Sequence, residues 1–287
     1  MKKPEAIGSR VSRWGEGPVW WEDSLLYVDI ESHEVVLLDP ASGTERSCPV
    51  GERVGFAIPC ESGRLICGGD NGLFYLDFDS GTKTLIIDPE PNLPNNRFND
   101  AKVSPDGRLF AGTIALDKTK GAARLYRLDP DQKLTEAYGP VTNSNGTAWT
   151  ADGSTVYYID TPSKEVKAFD YDHGTGELSR VRVVIDTKDE PSSPDGMTID
   201  SEGMLWIAFC HGARVTRFDP ATGREIARIE VPAYETTSCT FGGPTGHDLY
   251  ITTGIKADRE GDQGGKIFVV RDLPVGGAAV VPFKDKG

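Results

Sequence analysis

Glu16, Asn99, Asn145 and Asp195 are oxygen-bearing side chains that recur at one register of a repeated pattern. Each lies eight residues ahead of a turn residue: Glu16 before Ser24, Asn99 before Gly107, Asn145 before Gly153, Asp195 before Gly203. The same count back from Gly63 and Gly246 lands on Gly55 and Ser238. None of these positions holds a large apolar residue, although a strand facing a packed core favours Val, Ile or Leu. Glycine follows three of them, as Gly17, Gly146 and Gly196, and permits close backbone approach or a positive φ. Two carboxylates and two amides converging on one point are costly without a cation between them. Oxygen donors without Cys or His suit a hard divalent cation such as Ca2+, Mg2+ or Mn2+. Taken singly, each residue reads more simply as a turn-capping Asn or Asp. Four at a common register outweigh that reading.

The elements that must position these groups are marked by turns. Glu61-Ser62-Gly63, Pro105-Asp106-Gly107, Ala151-Asp152-Gly153, Ser201-Glu202-Gly203 and Pro244-Thr245-Gly246 each precede a short apolar run, and Glu22-Asp23-Ser24 opens the first copy. The turn glycines are spaced by 44, 46, 50 and 43 residues. A second marker, as in Leu38-Asp39-Pro40 and Phe218-Asp219-Pro220, closes most copies with Asx-turn chemistry. Repeats of this length with four strands each predict an all-β, six-bladed β-propeller with four-stranded antiparallel blades, one domain over residues 1–287. No copy holds a long amphipathic run, which excludes folds that need helices between strands. The first strand of each blade lines the channel, so the ring of equivalent positions sits at one mouth. Residues 5–13 precede the first copy and are expected to close the ring by pairing with the last blade.

Composition narrows the function classes. The chain has 287 residues, 38% hydrophobic and 26% charged, with 33 Gly and 19 Pro. A net charge of −13 without a Lys/Arg cluster argues against a nucleic-acid partner. No apolar stretch reads as a membrane span or a signal peptide, so a cytoplasmic protein is expected. Five cysteines without CxxC spacing read as reduced thiols. Ser144 and Ser238 lack an evident His–Asp partner. His33, His173, His211 and His247 make a poor catalytic set, with His211 the one that could edge the pocket.

Longer motifs add to this. They are Gly15-Glu16-Gly17-Pro18-Val19-Trp20, Arg97-Phe98-Asn99-Asp100 with Gly112-Thr113, Ser144-Asn145-Gly146 with Tyr158-Ile159-Asp160-Thr161, Pro194-Asp195-Gly196-Met197 with Leu205-Trp206, and Thr237-Ser238-Cys239 with Phe241-Gly242-Gly243. In this order they resemble the SMP-30/gluconolactonase/regucalcin family over nearly the whole chain. The resemblance implies a six-bladed propeller with one divalent cation: Ca2+ first, with Mg2+, Mn2+ or Zn2+ as alternatives. It implies Glu16, Asn145 and Asp195 as metal ligands, and Arg97 and Asn99 as substrate-binding residues. It implies a metal-dependent lactonase that opens a small-molecule sugar lactone to the aldonic acid. Asp195 is then the candidate general base, with a hydroxide on the cation as the alternative. Other readings are a phosphotriesterase-like hydrolase on the same cation and a non-enzymatic calcium-binding regulatory propeller. The chain departs from the family pattern twice. The common Asn-Asp-Gly is Asn99-Asp100-Ala101, and an acidic substrate contact of some animal members falls on Thr119, between Lys118 and Lys120. The simpler reading of these two lysines is a solvated loop rather than an anion contact. The particular lactone, the native metal and the oligomeric state are not written in these motifs.

Overall fold

The computed structural model describes residues 2–256 and 259–285. Its regular structure is β-strand, apart from two short 3-10 turns at Ile30–Ser32 and Thr161–Ser163. Four sheets hold four antiparallel strands each, in simple up-and-down order. Their first strands are Gly15–Trp21, Val54–Pro59, Asn96–Val103 and Ser144–Trp149. The remaining strands form one eight-stranded sheet. Within it, the four-strand unit starting at Ser193–Ile199 and the unit starting at Glu235–Gly242 are joined by a single residue pair, Cys210 with Glu235.

The first strand of every four-strand unit touches the first strand of the next. Glu235–Gly242 returns to Gly15–Trp21, so these inner strands close a ring. Each sheet is covered on both faces by its neighbours, which is why runs such as Leu25-Leu26-Tyr27-Val28 are buried throughout instead of alternating. Leu25, Tyr27 and Leu38, for example, meet Tyr250, Ile267 and Val269 across one such interface. The Asx turns predicted between the outer strands form as expected. Asp39, Asp77, Asp172 and Asp219 accept backbone N–H bonds from Ala41, Ser80, Thr175 and Ala221.

Glu5–Ile7 pairs antiparallel with Ile267–Val270, with Ala6 opposite Phe268. The leading segment thus adds the outer strand to the unit that starts at Glu235–Gly242, and Ser12 N donates to Gly265 O at 2.7 Å. An unpaired edge at Ile267–Val270 would expose apolar groups and ladder donors together. Deleting residues 1–13 is expected to lower the melting temperature by about 5 °C or more, read by calorimetry; an unchanged value would contradict this closure. The tail beyond Val270 crosses the far ends of the inner strands. Gly277 bridges Asp200, and the fully buried Phe283 bridges Cys60. All five cysteines are buried and unpaired.

Candidate metal and substrate site

Every inner strand breaks register at or beside the position that the eight-residue count selects. The slips fall after Glu16, across Gly55, across Asn99 and Asp100, across Asn145 and Gly146, across Asp195 and Gly196, and before Ser238. A bulge kinks its strand and re-aims the side chain on it. Here it turns a residue that would lie along the ladder toward the channel mouth. The glycines make room for this. Gly17 takes φ +56°, and a Cβ on Gly146 would stand 2.7 Å from Asp195 O, one on Gly196 2.0 Å from Ser238 Oγ.

The resulting cavity has a volume of about 980 Å3, and Glu16, Arg97, Asn99, Asn145 and Asp195 all line it. Gly55 and Ser238, the remaining members of the ring, do not. Glu16, Asn145 and Asp195 are only 9%, 3% and 7% exposed, so their charges and dipoles are largely withdrawn from water. Glu16 Oε2 accepts the Gly17 N–H at 2.8 Å. Asn145 Nδ2 donates to Thr161 Oγ1 at 3.1 Å, and Thr161 Oγ1 donates to Pro194 O at 3.0 Å. This chain fixes the Asn145 amide and leaves its oxygen free. Asp160 accepts the Thr142 and Asn143 N–H groups and so anchors the entry to the same strand.

Neither Glu16 nor Asp195 forms an ion pair among the described residues. Burial, then the Asp195 charge, drives the Glu16 carboxyl well above the usual range. Burial, then the Asp100 charge, pushes Asp195 up to about 8. Asp100 itself is pushed up to about 6, again mainly by burial. The Arg97 charge opposes the rise of Glu16 and the Lys102 charge that of Asp100, but neither outweighs burial. The donor set supplies where a further counter-charge would go: two carboxylates and an amide oxygen, with no sulfur or imidazole among the three. These residues fit a hard divalent cation.

Asn99 stands differently. Its Oδ1 accepts Arg97 Nη1 at 2.9 Å, and its Nδ2 donates to Asn143 Oδ1 at 3.1 Å and Ser144 O at 2.9 Å. The four-member oxygen ring therefore divides into three residues with free donor atoms and one already tied to Arg97. Burial pushes Arg97 down to about 10, and its Nε has no hydrogen-bond partner.

Two features add to the sequence reading. Lys118 and Lys120 are exposed, as a solvated loop would have them, but they stand on the cavity wall. His211 also lines the cavity, and its Nδ1 lies 2.9 Å from Glu235 Oε1, while Cys210 Sγ lies 3.0 Å from Glu235 Oε2. Glu235 is buried and received no weight from sequence, because it meets Cys210 and His211 only through the single pair that joins two sheet units. No local pattern announces such a contact. Thr161 and Asp160 were within reach, since both lie in a motif that carried the family resemblance. A second cavity of about 430 Å3, at the opposite ends of the inner strands, is walled by Trp149, Phe241, Val280 and Val281 among others. It brings together no comparable set of oxygen donors. Among the described residues no helix is long and apolar enough to cross a membrane.

Residues 14–255 match the family model described as SMP-30/Gluconolactonase/LRE-like region. The protein named Regucalcin from Gallus gallus is 39% identical over 295 residues, covering 98% of each chain. The protein named "Putative sugar lactone lactonase YvrE" from Bacillus subtilis (strain 168) is 36% identical over 276 residues, covering 94% of each. Among solved structures, a calcium-binding protein, regucalcin, from Agrobacterium tumefaciens superposes with a TM-score of 0.92 at 27% identity, over 99% of this chain and 97% of that one.

Proposed function

The chain belongs to the SMP-30/gluconolactonase/LRE-like family, and on that premise we propose that it is a metal-dependent lactonase that opens a sugar lactone to its aldonic acid. One observation carries the reading. Glu16 and Asp195, buried and in no ion pair among the described residues, line one cavity with the free amide oxygen of Asn145, and that cavity is large enough for a sugar. The names of the relatives support the substrate class. We read the molecule as a six-bladed propeller by counting each four-strand unit as one blade, with the Cys210–Glu235 pair as the seam between two of them.

Glu16, Asn145 and Asp195 would hold the cation, with Ca2+ the first choice for an all-oxygen set and Mg2+, Mn2+ or Zn2+ as alternatives. A divalent cation supplies Lewis-acid polarisation of a lactone carbonyl and charge stabilisation for the oxyanion. The chain's own residues do the rest. An Asp195 carboxylate oxygen takes a proton from the attacking water. That proton goes to the ring oxygen as the carbonyl–oxygen bond breaks. Arg97 and Asn99, tied to each other, orient the ring hydroxyls. The surrounding walls limit water to what the reaction uses.

Proton release measured over a panel of sugar lactones and phosphotriesters, with and without chelator, tests the reading. Lactone hydrolysis abolished by chelator is the expected result. Phosphotriester hydrolysis without lactone hydrolysis would overturn it. Asn99→Ala is expected to raise KM about tenfold with a smaller change in kcat, since it removes a contact made to bound substrate and transition state alike. A loss confined to kcat would reassign Asn99 to the chemical step.

A further inference from the structure

We propose that the substrate is a lactone bearing an anionic group remote from the ring carbonyl, and that Lys118 and Lys120 bind that group. The proposal rests on the lactonase reading above and names the class of lactone. The chain carries a net charge of −13, yet its main cavity gathers Arg97, Lys118, Lys120 and Lys167 on one wall system.

Most of the other charges around the cavity are already engaged. Arg97 is tied to Asn99 and to Phe98 O. The Lys167 ammonium sits against the Tyr138 ring. Asp160 accepts two backbone N–H groups, and Glu16 and Asp195 belong to the cation site. Glu31 is the other acid on the wall. Lys118 and Lys120 have no hydrogen bond or ion pair from their ammonium groups among the described residues. Elsewhere on the surface, Lys83 and Lys188 pair with Glu52 and Glu165.

The loop that carries them is braced. Asp117 accepts Thr119 N–H at 2.9 Å and Asn95 Nδ2 at 3.1 Å, and Gly121 N donates to Thr142 Oγ1 at 3.0 Å. Leu116 N donates to Asn95 O at 2.9 Å. Hydrogen bonds from Thr119, its N–H first, and from Asn95 hold the Asp117 carboxyl below the usual range. The nearest acid in sequence is thus committed to bracing its own loop. Lys118 is held in the left-handed region at φ +61°, which sets where its side chain leaves the loop. Two cations are therefore presented from a fixed platform, facing a cavity at the upper end of the size range for a small organic ligand. A neutral six-carbon lactone has no group that rewards them. A terminal carboxylate or a phosphate ester does.

An ammonium about 4 Å from an anion at a solvated site changes affinity by a factor of about five, so the pair is expected to give about 10- to 30-fold, weakened by salt. The test compares glucono-1,5-lactone with a lactone carrying a terminal carboxylate and with one carrying a 6-phosphate, in the full chain and in the Lys118→Gln/Lys120→Gln double variant. The full chain should prefer at least one anionic lactone by about tenfold or more in kcat/KM at low salt. The preference should fall to near parity in the double variant, and the two anionic arms say which group is recognised. Equal or better use of the neutral lactone, or a preference that survives in the variant, overturns the proposal. Calorimetry with the open-chain dicarboxylate and the phosphorylated aldonate separates this from the lactonase reading. If no lactone is hydrolysed but these anions bind the full chain and not the variant, the anion site stands and the lactonase reading falls. If they bind neither or both equally, the anion site falls.

Discussion

Replacing Asp195 by Ala is expected to lower kcat/KM for lactone hydrolysis by at least about 10³-fold. Two losses combine in that figure. The variant lacks the carboxylate that takes the proton from water, and it lacks one of three groups that hold the cation. Folding should survive the change. Asp195 sits beside a bulge with its carboxyl pushed up to about 8 by burial and by neighbouring acids, so the charged side chain works against the folded state. The cation-free variant should melt no lower than the cation-free parent at pH 8. Loss of turnover with the melting temperature kept or raised marks a residue retained for function at the expense of stability. Full turnover in the variant would remove Asp195 from the mechanism.

The second large effect is the dependence of cation binding on pH. Glu16 and Asp195 both have carboxyl groups raised by folding. An acid raised on folding binds more protons in the folded chain than in the unfolded one, so its contribution to stability falls as pH rises. For Asp195 the fall begins near the ordinary carboxylate range of about 4 and is complete above its folded value, about 8. A divalent cation competes with those protons. Its affinity should therefore rise from pH 5 to pH 8. At one fixed cation concentration, about 100-fold above the Kd at pH 8, the melting-temperature gain should be about 5 °C or more at pH 8 and small at pH 5. Thermal scans with and without Ca2+ across that range check it. A gain that is independent of pH would mean that the cation sits elsewhere. Glu16→Gln should flatten the dependence, since it replaces one of the two titrating ligands with a neutral amide.

The site was legible because the repeat supplies an internal ruler. Counting from turns requires only that each unit have the same length between its inner strand and its first turn, and the bulges preserve that length in every copy. The count therefore reached Glu16, Asn99, Asn145 and Asp195 without any knowledge of the fold's closure. It could not separate Asn99 from the others. That distinction depends on the hydrogen bond from Arg97, which lies two residues away on the same strand. Nor could the count place Glu235 beside His211, because the two meet across a seam between units instead of within one. The position of Lys118 and Lys120 on the cavity wall was unmarked for a related reason. Hydrophilic loop residues have no periodicity that tells the solvent side from the cavity side, and only the bracing of Asp117 and Gly121 shows which way the loop is set. The crossing of the far channel mouth by the tail, with Phe283 buried against Cys60, was equally unmarked.

The central claim is that Glu16, Asn145 and Asp195 hold one divalent cation and that lactone hydrolysis depends on it. The most direct measurement titrates cation into chelator-treated protein while recording binding heat and lactone turnover on the same sample. One cation should bind per chain, turnover should rise in proportion to occupancy, and both should be lost in Asp195→Ala. Undiminished turnover in the chelator-treated chain, or unchanged cation binding in the variant, would contradict it.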